Sequence, residues 1–195
     1  MGTVASYQLR TRATIVGNIC NASPAGDTIG ACMVFGCVLH VHNQHGCCQV
    51  PLNDFFRGPG RTSLEAGDIV TAISFPIMPK NNAGSYIKVG RNAIGDLAIV
   101  GVTVFGYPDR SKPSGVCFRV VLASVAPVPL VAARAEEILA ELPVSAETIA
   151  SAAQAAMDAC TPIDDVRGSA RYRKFMVRNM AAKAITKVWD EIRAQ

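Results

Sequence analysis

The sequence predicts an α+β fold in which strands come first and helices follow. Half of the 195 residues are hydrophobic and 17% are charged, which is typical of a chain with a real core. In the second half of the chain, β-branched strand-like stretches fill residues 84–125, and alanine-rich stretches with helical spacing fill residues 130–193. Strands and helices therefore occur in blocks, which argues against a parallel α/β sheet.

The first eighty residues contain several short elements. Residues 12–28, RATIVGNICNASPAGDT, read as a flexible loop of small residues and turn formers. Residues 27–36 predict a short helix with Asp27 or Thr28 as its N-cap. Residues 37–52 predict a hairpin with its turn at residues 43–46.

The stretch between this hairpin and the second half of the chain is rich in glycine and proline. Residues 53–68 predict a loop or a single helical turn. Residues 69–79 predict a strand that Pro76 and Pro79 bring to an end. The segment KNNAG, residues 80–84, is a plausible hinge between two parts of the chain.

Three strands are predicted after the hinge, over residues 84–91, 96–107 and 115–125, and the loop PDRSKPSG favours an antiparallel meander. Helices are predicted over residues 130–141 and 145–159. A last helix over 169–193 begins at Ser169. Its predicted apolar positions are Phe175, Met176, Met180, Ala184, Ile185, Val188, Trp189 and Ile192.

Charge and hydropathy exclude several classes of protein. A net charge of +4 without a basic run is poor support for nucleic-acid binding. No stretch has the eighteen or so uncharged apolar residues of a membrane helix. Arg10 and Arg12 fall where a signal peptide would have its apolar core. We therefore expect a soluble cytoplasmic protein without membrane insertion.

The seven cysteines and three histidines predict no metal centre. Cys32 and Cys37 have the gap of a plant-type ferredoxin loop, but the next cysteine of that pattern is missing and no CxxC occurs. We expect reduced thiols, several of them buried. His40 and His42 share one face of a predicted strand, with His45 in the turn. A half-exposed strand face and a zinc site both remain open, and the spacing favours the first.

Two short motifs could bind charged partners. The run RGSARYRK, residues 167–174, places four cations at the start of a helix, where the dipole disfavours them. It predicts an interface or an intramolecular pairing element, with a solvated face as the alternative. The segments TIVGN and SPAGDT could form an anion cradle of backbone amides, or only a tight connection.

The loop of residues 14–27 resembles the TIGGN…ASPAxD signature of the flavin-binding medium subunit of molybdenum hydroxylases, the carbon monoxide dehydrogenase and xanthine dehydrogenase enzymes and their relatives. The similarity continues through VPLNDFFRGPGRTSLEAGDIVTAISFP, YIKVGRNAIGDLAIVGV, RVVLASVAPVPLVAARAEEIL and DDVRGSARYRKFMVRNMAAKAI. It covers essentially all 195 residues in order.

The resemblance implies two domains. Residues 1–79 would form the second half of an FAD-binding domain, a mixed sheet with helices. Residues 84–195 would form the C-terminal domain of the flavin subunit, a three-stranded antiparallel sheet packed on a helical bundle.

The resemblance also implies a function in electron transfer. The chain would pass electrons from iron–sulfur clusters through FAD to an external acceptor. The molybdenum cofactor and the [2Fe-2S] clusters would belong to a large and a small partner subunit. A flavin-free structural subunit of the same complex is the alternative. A stand-alone anion- or nucleotide-binding module would explain the loop but not the rest of the similarity.

The site residues implied by the resemblance would hold FAD rather than catalyse chemistry or bind metal. Asp27 would hydrogen-bond the cofactor, and Val70 and Tyr86 would lie along the flavin. Lys88 matches a lysine close to the flavin, where a cation would stabilise the reduced, anionic cofactor. The residues expected against the pyrophosphate are Thr14, Ile15, Gly17 and Asn18, and Val16 between them is also expected to bind the cofactor.

Two departures from the family pattern shape this expectation. Val16 stands where the family has a second glycine, so one close approach of the backbone to phosphate is hindered. The family's N-terminal subdomain, with its AGGxS-type pyrophosphate loop, has no counterpart before residue 16. The resemblance therefore implies a further chain that supplies this subdomain, and an unusually apolar surface on the first 80 residues where it would pack.

Overall fold

The computed structural model describes residues 4–92 and 95–195. In the first part the elements are α1 (Tyr7–Arg10), α2 (Ile15–Cys20), α3 (Ile29–Val34), β1 (Val38–Asn43), β2 (Gly46–Pro51), a 3-10 turn (Leu52–Asp54), β3 (Phe56–Gly58), β4 (Arg61–Thr62) and β5 (Ile69–Ser74). In the second part they are β6 (Ala83–Val89), β7 (Val100–Pro108), β8 (Val116–Ala123), β9 (Leu130–Val131), α4 (Ala133–Glu141), α5 (Ala146–Asp158) and α6 (Ala170–Arg193). The α+β class is confirmed.

The predicted loop over residues 12–28 is wrong in its first half, because it contains helix α2. The Thr14 side chain accepts a hydrogen bond from the Gly17 amide at 2.9 Å and so caps the helix. A Cβ on Gly17 would lie 2.9 Å from Thr14 Oγ1, so glycine leaves room for this cap. Ile19 is fully buried, and its burial ties the short helix to the core.

The predicted helix over residues 27–36 is confirmed as α3. It ends in a Schellman motif, in which the Gly36 amide donates to Met33 and the Cys37 amide donates to Cys32. Gly36 has a φ of +68°, the left-handed conformation that this motif requires. The motif turns the chain directly into β1.

The first sheet has the order β2-β1-β5, and its described strand pairs are antiparallel rather than mixed. A two-residue turn joins β1 to β2, which forces them to run in opposite directions and confirms the predicted hairpin. The stretch over residues 53–68, predicted to be a loop or a single helical turn, also contains the small hairpin β3-β4. Strands of three and two residues are too short for a period-2 pattern to reveal.

The second sheet has four strands, in the order β6-β7-β8-β9, where the sequence predicted three. The extra strand β9 has only two residues, which pair with Val121 and Leu122 of β8. The sequence did not predict this strand, because the preceding residues APVP contain prolines and proline is uncommon within strands. The three longer strands form the predicted antiparallel meander.

Alternation along the strands gives the second sheet two buried faces. One face packs against α4 and α6, which α5 contacts in turn, and forms the larger core, in which Val102, Val104, Val120 and Leu122 are fully buried. The opposite face packs against α3, so that Phe105 and Val121 belong to the core of the first part of the chain. The sheet therefore connects the helical layer with the N-terminal elements.

The last helix, α6, begins after Ser169, as predicted. Ser169 Oγ accepts a hydrogen bond from the Tyr172 amide. The buried stripe of α6 differs from the predicted one, because Phe175 is 41% exposed. Phe175 instead lies beside the guanidinium groups of Arg171 and Arg178. The buried positions are Arg173, Val177, Ala181, Ala184, Ile185, Val188 and Ile192.

Some large apolar side chains remain on the surface. Ile69, Phe75 and Ile77 of the first part are 64%, 46% and 100% exposed. These residues follow one another closely in sequence, and the unusually apolar surface expected on the first 80 residues stays a prediction. Among the described helices, none has both the length and the apolar composition needed to cross a bilayer.

Candidate functional site

The N-terminus of α2 is the part of the predicted site that could face a phosphate. The first amides of a helix have no acceptor within it. Thr14 already satisfies the Gly17 amide, which leaves the amides of Ile15 and Val16 as the helix-end donors. Thr14 and Gly17 are exposed, and Val16 is half-buried. This helix start can therefore offer a small number of backbone donors to an anion.

A side-chain hydrogen bond joins this helix to the segment before α3. The Thr28 hydroxyl donates to Asn18 Oδ1 at 2.6 Å. Because Thr28 directly follows Asp27, the bond connects α2 to the segment that contains Asp27. Asn18 has a structural contact here in addition to the role expected next to FAD.

Asp27 accepts hydrogen bonds from two side chains of strand β6. The Tyr86 hydroxyl donates to Oδ1 at 2.6 Å, and Lys88 Nζ lies 2.7 Å from Oδ2. Tyr86 and Lys88 are two residues apart, so they lie on the same face of the strand. The side chains of Lys88 and Asp27 are only 11% and 10% exposed. The ion pair is therefore almost completely buried.

The surroundings of Tyr86 make its hydroxyl a permanent donor. Burial, and then the hydrogen bond and charge of Asp27, raise the pKa of Tyr86 well above its ordinary value. Its ring lies over Gly101 of the neighbouring strand, where an added Cβ would approach the ring to 3.4 Å. The phenol is thus held in place on one side by backbone and on the other by a carboxylate.

Close packing of α3 on the sheet brings Asp27 to β6. Gly30 of α3 faces Thr103 of β7 so closely that an added Cβ would lie 2.3 Å from Thr103 Oγ1. Asp27 lies just before this helix, and Lys88 pairs with Gly101, two residues before Thr103. The glycine therefore allows α3, and Asp27 just before it, to approach the sheet closely.

Val70 lies on β5 opposite Val41 of β1, half-buried against the N-terminal core. Helix α2 packs beside the same strand. Val70 thus belongs to the α2 side of the site.

The structure brings most of the predicted site residues together, although 61 positions separate Asp27 from Lys88. The sequence identified both residues through the family resemblance but missed that they pair with each other. One pattern in the sequence could have indicated this pairing. Tyr86 and Lys88 alternate on a strand, which leaves two polar groups facing an otherwise buried layer. Polar groups in such a position need partners.

His40 and His42 lie on strand β1, as the sequence predicted. His40 Nε2 lies 2.6 Å from Ser74 Oγ, and His42 Nδ1 lies 3.0 Å from Cys47 Sγ. Within residues 4–92 and 95–195, no group of three or more His, Cys, Asp or Glu side chains could hold a metal ion. Burial raises the pKa of Cys160 to about 11, which keeps it a thiol.

Two arginines of the run 167–174 form ion pairs within the chain, and intramolecular pairing was one of the roles predicted for this run. Asp165 lies 3.2 Å from Arg167 Nη1 and 2.6 Å from Arg173 Nη2. Backbone donation from Arg167, and then the bond from Arg173, hold the pKa of Asp165 below its ordinary value.

Comparison with known protein families identifies two domains in this order. Residues 1–78 match the family described as the FAD binding domain in molybdopterin dehydrogenase. Residues 85–188, more than half of the chain, match the CO dehydrogenase flavoprotein C-terminal domain.

Relatives of known identity agree with both families. The chain is 29% identical over 185 residues to the putative xanthine dehydrogenase FAD-binding subunit XdhB of Escherichia coli (strain K12), covering 94% of this chain and 63% of that protein. It is 28% identical over 186 residues to the carbon monoxide dehydrogenase medium chain of Hydrogenophaga pseudoflava, covering 95% and 64%. The chain therefore spans slightly less than two thirds of the length of these relatives.

A solved structure has the same fold. Carbon monoxide dehydrogenase from Hydrogenophaga pseudoflava, in a form that lacks the Mo-pyranopterin moiety of the molybdenum cofactor, superposes with a TM-score of 0.90 at 30% identity. The match covers 96% of this chain and 64% of that chain.

Proposed function

Since the chain belongs to the CO dehydrogenase flavoprotein family, we propose that it is the FAD-binding subunit of a molybdenum hydroxylase. In this role it would pass electrons from iron–sulfur clusters to an external acceptor through FAD. The observation that supports the proposal most is that Asp27 bonds to Tyr86 and Lys88, while its neighbour Thr28 bonds to Asn18 of α2. These are the positions that the family resemblance assigns to the cofactor.

In this proposal the start of α2 binds the pyrophosphate. The amides of Ile15 and Val16 and the positive end of the helix favour an anion there. Thr14 and Gly17 are exposed, so the approach from solvent is open. FAD has two phosphates, and these two donors satisfy only part of them. We therefore expect the 195 residues to bind FAD weakly.

The polar cluster on β6 would orient the flavin and control charge beside it. Tyr86 offers a hydroxyl whose raised pKa keeps it protonated. Lys88 supplies a positive charge and Asp27 a negative one at 2.7 Å, so the field at the flavin depends on the pair rather than on the lysine alone. FAD, when bound, supplies the electron-accepting chemistry.

The same membership supports a proposal about partners. The relatives include the medium chain of carbon monoxide dehydrogenase, whose name denotes one chain among several. We propose that this chain assembles with a large subunit that holds the molybdenum cofactor and a small subunit that holds [2Fe-2S] clusters. The substrate of such an assembly would contact the large subunit rather than this chain.

The proposal is tested by titrating FAD into the purified chain and measuring flavin fluorescence and binding heat. We expect weak, saturable binding to the parent chain. Val16→Gly should tighten binding by about tenfold or more, because removal of the side chain lets the backbone amide approach the phosphate closely, and one charge-assisted hydrogen bond contributes ~1.5–3 kcal/mol. Val166→Gly is the matched control, since Val166 is 90% exposed and lies in the turn before α6.

The outcomes separate the two candidate functions. Absence of flavin absorption from the purified complex would favour the flavin-free structural subunit, because the chain alone is expected to bind FAD weakly in either case. Binding that is unchanged or weaker in Val16→Gly would remove the start of α2 from the phosphate site.

A further inference from the structure

The cationic run 167–174 pairs within the chain over only part of its length. Arg167 and Arg173 both bond to Asp165, at 3.2 Å and 2.6 Å. The neighbouring Asp164 is also engaged, because its Oδ1 accepts a hydrogen bond from the first backbone amide of α6 at 2.6 Å. The acidic side chains just before α6 are therefore already occupied by other groups.

Arg171 and Arg178 of α6 have no carboxylate partner within the part of the chain that the structure describes. Neither guanidinium forms an ion pair or donates a hydrogen bond there. Residues 166–189 contain no aspartate or glutamate. Arg171 also lies in the first turn of α6, where the positive end of the helix dipole disfavours a cation. The chain thus carries two positive charges for which it supplies no opposite charge.

Both arginines lie beside the same aromatic ring. Arg171, Phe175 and Arg178 follow the spacing i, i+4 and i+7, which places them on one face of α6. The Arg171 and Arg178 Cζ atoms lie 5.7 Å and 5.4 Å from the centre of the Phe175 ring. A cation–π contact is an attraction between the charge and the ring, so the N–H groups can still donate to carboxylate oxygens. The ring therefore holds two guanidinium groups close together on the surface.

Tyr172 extends this surface with a second exposed ring. Tyr172 and Phe175 are three residues apart, which makes them neighbours on the helix, and they are 43% and 41% exposed. The Tyr172 ring packs on the turn before the helix, since an added Cβ on Gly168 would lie 3.3 Å from Tyr172 Cδ1. We call Arg171, Tyr172, Phe175 and Arg178 the α6 face. It combines exposed aromatic surface with two cations that lack a carboxylate.

We propose that the α6 face is a docking surface for an acidic segment of another protein. The assignment rests on charge complementarity. Aspartate or glutamate side chains of the partner pair with Arg171 and Arg178, and an apolar side chain between them packs on the two rings. Tyrosine, phenylalanine and arginine are enriched in protein interfaces. Nucleic acid fits this face less well, because the Phe175 ring already contacts two guanidinium groups and offers less surface for a base to stack on.

None of the four residues is assigned to FAD, so the proposal goes beyond the flavin-binding function and its test needs no flavin. The probe is a short fluorescein-labelled peptide of Glu-Glu-Leu repeats, titrated with the purified 195-residue chain and followed by fluorescence anisotropy. We expect saturable binding that weakens as salt is added, because salt screens exposed charges. Peptides of Gln-Gln-Leu repeats, without charge, and of Glu-Glu-Ser repeats, without apolar side chains, should each bind at least about tenfold more weakly.

Three results of these titrations would overturn the proposal. The first is the absence of saturable binding of the Glu-Glu-Leu probe. The second is equal affinity for either control peptide. The third is displacement of the probe by a short DNA duplex or by phosphatidylglycerol vesicles that bind more tightly than the probe does, which would assign the α6 face to nucleic acid or to a membrane surface.

Variants on α6 locate the binding surface. Arg171→Gln combined with Arg178→Gln removes both charges with a good helix former and should weaken probe binding by at least about tenfold. Tyr172→Gln should weaken it by about fivefold or more. Lys183→Gln combined with Lys187→Gln is the matched control, because both lysines are exposed later on the same helix and the net charge changes equally. Unchanged affinity in the folded double-arginine variant, or an equal loss in the lysine control, would contradict the assignment.

Discussion

The buried ion pair between Asp27 and Lys88 gives the sharpest prediction, because it can be broken from either side. Lys88→Met keeps most of the aliphatic stem and removes the charge. Asp27→Asn keeps an oxygen that can accept from the Tyr86 hydroxyl and removes the negative charge. Each variant removes one charge of a pair whose side chains are only 11% and 10% exposed.

The expected size follows from this burial and from the 2.7 Å separation. Removal of one partner from a buried pair costs roughly 3–5 kcal/mol in the free energy of unfolding. The double variant, Asp27→Asn with Lys88→Met, removes both charges and should cost less than the two single changes added together. We expect a coupling of about 1–3 kcal/mol.

Urea denaturation of the parent, both single variants and the double variant measures this coupling. The exposed pair Arg134–Glu137, with side chains 65% and 57% exposed, is the matched control. Its coupling should lie between about 0 and 1 kcal/mol. If the Asp27–Lys88 coupling is within about 0.5 kcal/mol of zero, or no larger than that of the control, the pair does not stabilise the site as argued.

Two further predictions concern the packing and the titration of single residues. Gly30→Ala should destabilise the protein by roughly 1–3 kcal/mol, because its Cβ would lie 2.3 Å from Thr103 Oγ1. Most of that loss should disappear in a Thr103→Ala background, and urea denaturation measures both effects. Burial raises the pKa of Glu136, so its contribution to stability is fully present below the ordinary carboxyl pKa of about 4.3 and is lost as pH rises through the raised value. Thermal unfolding across this range should therefore show Glu136→Gln gaining stability relative to the parent as pH rises, whereas Glu137→Gln, at an exposed neighbouring position, should follow the parent.

Local patterns along the chain were enough to predict much of the fold. Ser169 marks the start of α6 because a serine cap acts within one turn of the helix. The hairpin of β1 and β2 follows from strand-like residues around a short polar turn. The family resemblance likewise identified the candidate site residues from their motifs, since each motif lies within a short stretch of sequence.

Other features depended on contacts between distant segments. The two residues of β9 form a strand only because they pair with the edge of β8. Phe175 has helical spacing but lies outside the buried stripe of α6, because the sheet contacts the helix on the face that contains Arg173 and Val177. Spacing predicts that a helix has an apolar face, but the orientation of its neighbour decides which residues are covered.

The sequence by itself therefore determined the α+β class, the order of most elements and the family to which the chain belongs. Only the tertiary structure decided that Lys88 pairs with Asp27 and that Arg173 lies buried beside Asp165. Propensities, caps and periodicity act over one or two turns of chain and can be read from adjacent residues. The partners of buried charges are set by how layers pack, as Gly30 against Thr103 shows, and that packing joins residues far apart in sequence.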